Sequence, residues 1–251
     1  MSIYLLDYPK KIEELYALWP ETMIASYLQG CMGQAFVDDL KEPQSAQILI
    51  ADFCFFAGEP HQELVENIKS PLTILVPQNQ AWVKCIETVY GQQIHKRERY
   101  ATLKEKEVFD RQQLEHIVRQ LPHDYEMRPI NQDIYNQVLK EKWSQDFCIH
   151  FHDYDDYQHH GIGFVILYKN EIVAGASSYT YYQDGIEIEI DTRKDHRRKG
   201  LAKCCAAQLI LECLERDLYP SWDAHNQKSL CLSYQLGYHF DKSYDVYEFI
   251  K

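Results

Sequence analysis

The sequence predicts an α/β protein in two parts, a smaller N-terminal α/β domain over residues 1–121 and a second domain over residues 122–251. Strand and helix patterns alternate through the first half, which is typical of α/β folds. Turn sequences in the second half separate the strands of an antiparallel meander, and a long amphipathic helix follows it. We therefore expect the second domain to have a mixed, mostly antiparallel sheet flanked by helices.

The elements of the first half follow from their hydrophobic periodicity and from the glycines that end helices. We expect helices within residues 1–45 ending at Gly30, one continuous buried strand over Gln47–Gly58, a helix from Pro60 to Ile68, a strand around Ile74, a helix from Asn79 to Tyr90 closed by Gly91, an exposed strand from Lys96, and a helix from Phe109 to His123. The sequence contains neither an internal repeat nor a nucleotide-binding glycine fingerprint.

The second half begins after a boundary at Leu121-Pro122. Its predicted elements are a strand from Tyr125 to Ile130, a helix beginning near Asn131, three antiparallel strands divided by turns at Lys169–Glu171 and Gln183–Gly185, a helix from Gly200 to about Asp217, a fifth strand over Tyr219–His225, a short helix stopped by Gly237, and a final strand or hairpin.

A basic turn between the third strand of the meander and the long helix predicts an anion cradle. Five basic residues and one histidine fall among the seven positions from Arg193 to Lys199, and Gly200 opens the helix. The backbone N–H groups at a helix N-terminus are unpaired and carry partial positive charge, so they bind anions. The alternative interpretation is a solvated loop that precedes a helix.

The amino-acid composition limits the partners and the cellular location that we expect for this protein. A formal net charge of −12 argues against a broad nucleic-acid surface, which needs a basic face. The sequence lacks a run of eighteen apolar residues and a signal-peptide pattern, so we expect a cytoplasmic protein that does not insert into a membrane. Eight cysteines without a C-x-x-C pair fit free thiols in a reducing compartment.

The segment from Ile149 to His160 carries four histidines and three aspartates. These are metal-ligand residue types, but they lack a zinc spacing such as H-E-x-x-H. We predict a polar loop and no metal site.

The residues from Arg197 to Ala202 resemble the R/Q-x-x-G-x-G/A loop of the GNAT acetyltransferase superfamily. Their context matches in order: a meander, the loop and helix, a strand ending in Trp222–Asn226, and then S-x-x-L-x-x-x-L-G-Y from Ser229. The amino-acid sequence of these motifs is especially similar to that of the bacterial zwittermicin-resistance-like branch. The resemblance covers residues 125–249, and in this branch the first half would be an additional α/β domain, for which a degenerate GNAT-like half is one interpretation.

The resemblance implies acetyl-CoA as the co-substrate, lying between a fourth strand, about Ile186–Thr192, and the fifth strand, which splay apart. The residues implied to contact it are Ile190 and Thr192 through their backbone, Arg197, Arg198, Lys199, Gly200, Leu201 and Ala202 around the pyrophosphate, and Asn226 and Ser229 beyond the fifth strand. The alternative role of Asn226 is a helix N-cap, which is compatible with cofactor contact.

The resemblance also implies catalytic positions. A general base on the fourth strand would be Glu187 or Glu189, and the alternative for each is a solvated strand face. The position of the family's tyrosine acid holds Ser233, and the neighbouring Tyr234 points about 100° away on a helix. Tyr234 is alternatively a packed aromatic, and Tyr179, Tyr181 or water are the other candidate acids.

The predicted function is transfer of acetyl from acetyl-CoA to a primary amine, most simply on a small molecule, because an acidic protein suits a cationic acceptor. A non-catalytic acyl-CoA-binding module or sensor is the alternative, since the tyrosine acid is missing. The sequence leaves a homodimer open.

Overall fold

The computed structural model describes residues 2–250. The chain forms two compact units, which we call unit 1 (residues 1–99 and 243–251) and unit 2 (residues 100–242). The division falls at Arg99–Tyr100 instead of near Leu121, because the helix Arg111–Arg119 buries Leu114 and Ile117 in the same core as the long helix of unit 2.

Thirteen strands lie within the described residues. They are β1 (Tyr4–Leu5), β2 (Gln34–Val37), β3 (Ser45–Ile50), β4 (Phe53–Gly58), β5 (Ile74–Pro77), β6 (Ile94–Thr102), β7 (Tyr125–Pro129), β8 (Gly163–Tyr168), β9 (Glu171–Tyr182), β10 (Gly185–Thr192), β11 (Tyr219–Ser221), β12 (Asp223–Ala224) and β13 (Phe240–Phe249).

Nine α-helices accompany them in residues 2–250. They are α1 (Glu13–Tyr16), α2 (Thr22–Leu28), α3 (Gln62–Glu66), α4 (Gln80–Tyr90), α5 (Arg111–Arg119), α6 (Gln132–Val138), α7 (Tyr154–His160), α8 (Leu201–Glu215) and α9 (Gln227–Tyr234).

Unit 1 holds a mixed sheet with the strand order β1-β2-β3-β4-β5-β13-β6. The prediction of one strand over Gln47–Gly58 is wrong, because the chain reverses at Ala51 and Asp52 into the antiparallel hairpin β3–β4. Ala51 adopts a left-handed φ of 49° there, a conformation that no glycine signals in the sequence. Strands β1 and β2 also lie within the stretch that was expected to be mostly helical.

Unit 2 holds a five-stranded sheet with the order β11-β10-β9-β8-β7. Strands β7 to β10 are antiparallel neighbours and β10–β11 is parallel, so the predicted mixed, mostly antiparallel sheet is confirmed. Helix α8 buries its apolar side against this sheet, with Cys205, Leu209, Ile210 and Cys213 fully enclosed.

The predicted fifth strand over Tyr219–His225 is two strands in the structure. Strand β11 pairs with β10, whereas β12 pairs with Tyr100 and Ala101. The buried Trp222 separates them and its backbone carbonyl accepts a 2.7 Å hydrogen bond from the Thr102 hydroxyl, so the chain changes partner at this residue.

The two units repeat one topology, although the sequence contains no internal repeat. Each runs as a strand, two helices, a three-stranded antiparallel meander, a helix, a strand parallel to the last of the meander, and a further helix. The parallel pairs are β4–β5 in unit 1 and β10–β11 in unit 2. The N-terminal half is therefore built like the C-terminal half.

Residues 2–250 contain no helix that combines the length and the apolar character needed to cross a bilayer.

The close approach of β10 and β11 depends on Gly185, whose register partner is Tyr219. A Cβ at Gly185 would collide with the Tyr219 carbonyl oxygen, which is backbone and cannot rotate away. We expect Gly185→Ala to lower the free energy of unfolding by about 3 kcal/mol, as overpacking does. Urea unfolding measures this.

Gly30→Ala is the control, because a Cβ at Gly30 meets nothing within 4 Å, and the left-handed φ of 74° is the only constraint there. It should cost only the conformational penalty of about 1 kcal/mol. Equal losses for the two variants would contradict the steric role of Gly185.

Candidate functional site

An open strand edge lies where β10 leaves β11. The parallel pairing joins Gly185–Glu187 to Tyr219–Ser221 and ends there, while β10 continues to Thr192. In the described residues, positions 188–192 of β10 therefore pair with β9 on one side only. Such an edge presents backbone N–H and C=O groups to an extended ligand.

The N-terminus of α8 lies beyond the end of this edge and has no side-chain cap. Gly200 is the N-cap residue with a φ of 79°, and the first helical bond runs from Cys204 N–H to the Gly200 carbonyl at 3.1 Å. The N–H groups of Leu201, Ala202 and Lys203 precede that bond, so they have no acceptor within the helix. A Cβ at Gly200 would meet nothing within 4 Å, so space is available for an anion.

The basic residues of the loop divide between structural and exposed roles. The Arg197 guanidinium donates to the Thr192 carbonyl at 2.8 Å and to Asp191 at 3.2 Å, which ties the loop to the end of β10. Arg198 is exposed and has a left-handed φ of 63°. Lys199 donates to the Tyr125 hydroxyl at 3.1 Å. The loop is thus held in a strained, fixed shape before the helix.

Thr192 ends β10 inside this arrangement. It is 7% exposed, and its hydroxyl oxygen is buried without a hydrogen-bond partner among the described residues. A buried hydroxyl without a partner is costly, so a ligand group that bonds to it gains free energy. Ile190, two residues earlier, is half-buried against the core around α8.

Asn226 and Ser229 have roles within the fold that can coexist with ligand contact. The Asn226 carboxamide accepts from the Ser229 N–H at 2.9 Å, so Asn226 is the N-cap of α9. The Ser229 hydroxyl accepts from the Trp222 indole at 3.2 Å. The sequence did not indicate this second bond, because only the tertiary fold brings Trp222 to the helix.

The two candidate carboxylates of β10 differ in burial. Glu187 is only 3% exposed, so a solvated strand face does not describe it, whereas Glu189 is half-buried. Burial raises the pKa of Tyr182, Tyr219 and Tyr238, and the Glu187 carboxylate raises each further. Glu187 therefore lies in a tyrosine-rich environment that sequence periodicity did not reveal.

The candidate acids on α9 are placed differently from each other. Ser233 is fully buried, and its hydroxyl donates to the Leu230 carbonyl at 2.8 Å. Tyr234 is 48% exposed, so it is not a packed aromatic.

The histidine-rich segment from Ile149 to His160 was predicted to be a loop, but its second half is helix α7. Asp153 caps that helix by accepting from the Asp156 N–H at 2.9 Å. No cluster of three or more histidine, cysteine, aspartate or glutamate residues within residues 2–250 could hold a metal ion.

An open strand edge that leads to an uncapped helix N-terminus can hold an extended ligand that carries an anionic group. The model of the GNAT acetyltransferase family matches residues 13–247, and the chain belongs to that family. Membership implies acetyl-CoA as the acyl donor, and the match extends over both units.

Comparisons with solved structures and with curated proteins agree with this family. A crystal structure of a GCN5-related N-acetyltransferase-like protein from Streptococcus suis 89/1591 is 47% identical, covers 97% of this chain and 99% of that one, and has a TM-score of 0.94. The "uncharacterized N-acetyltransferase YdfB" of Bacillus subtilis (strain 168) is 27% identical over 132 residues, 51% of this chain and 49% of the relative. The match thus spans about half the length of that curated relative.

A tandem GNAT protein from the clavulanic acid biosynthesis pathway has the same fold at 10% identity, with a TM-score of 0.57 over 99% of this chain and 97% of that one.

In unit 1, the place equivalent to the gap between β10 and β11 is the gap between β4 and β5, and this gap is closed. Strands β4 and β5 pair over four residues, and the Gln78 N–H then donates to the Phe56 carbonyl at 3.0 Å. The Gln78 side chain accepts from the Gly58 N–H at 3.2 Å, and the Trp82 indole donates to the Gly58 carbonyl at 2.9 Å. Helix α3, which follows β4 as α8 follows β10, has five residues and no basic turn before it.

We therefore expect one CoA to bind per chain, in unit 2. Isothermal titration calorimetry with CoA should give a stoichiometry near one, because unit 1 has neither the open edge nor the basic helix N-terminus. Two equivalents per chain would contradict the assignment of the closed gap.

Proposed function

We propose that this protein is an N-acetyltransferase that moves acetyl from acetyl-CoA to the primary amine of a small molecule. The uncapped N-terminus of α8 carries this proposal, because it places unpaired N–H groups and an exposed arginine at the end of an open strand edge. The family membership supports the reaction class.

The donor is proposed to lie along β10 with its pyrophosphate at α8. The N–H groups from Arg198 to Ala202 would bind the phosphate oxygens, each bond contributing about 1.5–3 kcal/mol since the acceptor is charged. Arg197 supports the loop through its bond to Thr192. The backbone of Ile190 and Thr192 would pair with the pantetheine arm, with the buried Thr192 hydroxyl as an added partner.

The carboxylates of β10 are proposed to act on the amine. Glu187 and Glu189 alternate with Ile188, so both face the same side of the strand. One of them would hold the ammonium or accept its proton, directly or through water, before the neutral amine attacks the thioester carbonyl. A backbone N–H near Ile190 would stabilise the oxyanion.

The leaving CoA thiolate needs a proton. Ser233 is disfavoured as the donor, because its hydroxyl hydrogen is held by the Leu230 carbonyl. Tyr234 is the remaining candidate of the pair, since it is partly exposed, and Tyr179, Tyr181 and water are the alternatives.

The acceptor is proposed to be a small cationic amine. A net charge of −12 and two carboxylates at the site favour a cation. A cytoplasmic location is proposed from the eight free cysteines, which suit a reducing compartment. Two statements stay predictions: that the chain belongs to the zwittermicin-resistance-like branch, and that it forms a homodimer.

A non-catalytic acyl-CoA-binding module or sensor is the second candidate, favoured by the engaged hydroxyl of Ser233 at the family's acid position. Thiol release from acetyl-CoA in the presence of a panel of primary amines separates the two. Turnover supports the enzyme, and tight CoA binding without turnover on any amine supports the module.

Gly200→Glu is expected to weaken CoA binding at least about a hundredfold, because a carboxylate at the helix N-terminus replaces the anion and repels phosphate. Calorimetry measures the dissociation constant. Gly30→Glu is the matched control, since Gly30 has a similar left-handed φ and open surroundings in unit 1. Unchanged affinity in Gly200→Glu would show that the cradle is misplaced.

A Glu187→Gln plus Glu189→Gln variant is expected to lower kcat by roughly 10²–10⁴, the usual contribution of a general base. CoA affinity should stay at the wild-type value. Asp184→Asn is the control, since it removes an exposed carboxylate from the turn before the same strand. Wild-type kcat in the double variant would remove both carboxylates from the mechanism.

A further inference from the structure

A histidine that the reaction scheme does not use has a buried nitrogen near the start of the open edge. The Nε2 atom of His150 is buried and has no hydrogen-bond partner among the described residues. The His150 ring packs edge-to-face against Tyr179, with ring centroids 4.4 Å apart. An unpaired buried polar atom destabilises the folded state, so its retention calls for an explanation.

His150 belongs to the segment that covers the carboxylate face of β10. The Ser177 hydroxyl donates to the Phe147 carbonyl at 2.7 Å, and Ser177 lies opposite Glu189 in the β9–β10 register. Residues directly opposite each other project from the same face of a sheet. The segment that leads to His150 therefore lies over the face from which Glu189 and, two residues earlier, Glu187 project.

Tyr179 marks an irregularity in the same register. Thr180 pairs with Glu187 and Ser178 pairs with Ile188, so the pairing skips Tyr179. A β-bulge redirects side chains locally and is frequent beside active sites. This bulge coincides with Glu187, the last residue of β10 that pairs with β11. The His150–Tyr179 contact thus lies beside the point where the open edge begins.

The imidazole is suited to accept a hydrogen bond. Burial lowers the pKa of His150 to about 4, and nearby Asp146 only partly opposes this, so the ring is neutral near pH 7. A neutral imidazole has one N–H and one nitrogen with a free lone pair. Carboxylates and a tyrosine ring nearby favour a cationic ligand, whose ammonium group has only donors.

We propose that Nε2 of His150 accepts a hydrogen bond from the amino group of the acetyl acceptor, so that His150 is an acceptor-binding residue and the acceptor is a primary ammonium compound. This inference rests on the function proposed above. The ring is half-buried, and the amine would reach Nε2 after the ring turns about its Cβ–Cγ bond. Side-chain rotations of this kind are common on binding.

The test follows the imidazole nitrogens by NMR in the full chain labelled with ¹⁵N-histidine, saturated with CoA and titrated with benzylamine, butylamine and spermidine. We expect an unprotonated Nε2 of His150 whose resonance shifts with at least one of these amines. The exposed His159 is the internal reference. A protonated Nε2, or an Nε2 that all three amines leave unmoved at saturation, would overturn the proposal.

Two variants separate hydrogen bonding from packing. His150→Leu keeps an apolar group against Tyr179 but removes the acceptor, so amine affinity should fall about tenfold, as expected for a lost bond to a charged group. His150→Gln offers an amide oxygen near the Nε2 position and should stay within about threefold of wild type. His159→Leu is the matched control and should change nothing.

CoA affinity distinguishes this inference from the proposed function. If the wild-type chain and His150→Leu bind CoA equally and amine affinity is unchanged, the assignment of His150 is wrong while the donor site stands. If the wild-type chain does not bind CoA, the proposed function fails and the assignment of His150 fails with it.

Discussion

The candidate site depends on one constraint, the end of parallel pairing between β10 and β11 at Glu187 and Ser221. Up to that pair, Gly185 allows the two backbones to approach closely. Beyond it, β10 continues along β9 alone, and its other edge keeps backbone groups that an extended ligand can bond. The carboxylates and the bulge at Tyr179 lie beside this departure, and the basic loop follows the end of β10.

The loop that follows β10 is held in an uncommon shape by its own contacts. Arg198 adopts a left-handed φ of 63°, which costs about 1–2 kcal/mol for a residue with a side chain. The hydrogen bonds of Arg197 to Thr192 and Asp191 help to offset this cost. A loop that already has this shape before binding lowers the entropic cost of binding, because the N–H groups of α8 need not be rearranged around an anion.

The sequence predicted features whose cause is local. Asn226 was identifiable as an N-cap because a short polar side chain before a helix accepts its free N–H groups. The helix starting at Gly200 and the meander from β8 to β10 followed from periodicity and turn residues. The hairpin at Ala51 was missed because a left-handed alanine leaves no compositional signal. The division of the fifth strand at Trp222 was missed because it is a change of pairing partner, from β10 to residues 100–101, and such pairing is set by tertiary structure.

Features of the site that arise from tertiary structure were beyond the sequence. Alternation placed Glu187 on a polar strand face, but the fold covers it and leaves it 3% exposed. The contact between His150 and Tyr179 joins residues 29 positions apart along the chain, and no spacing rule relates them. The topology shared by units 1 and 2 consists of strand order and direction and not of repeated residues, so only the family resemblance offered a GNAT-like first half as an interpretation.

The closed gap of unit 1 bears on how the chain responds to its ligand. There, Gln78 and Trp82 satisfy the backbone groups of the strand end permanently. On the function proposed above, unit 2 leaves the corresponding groups to the acyl donor, so the donor concentration would add to the free energy of unfolding of unit 2. The stability of unit 1 would then be set by its own side chains, whereas the stability of unit 2 would vary with the supply of acyl donor.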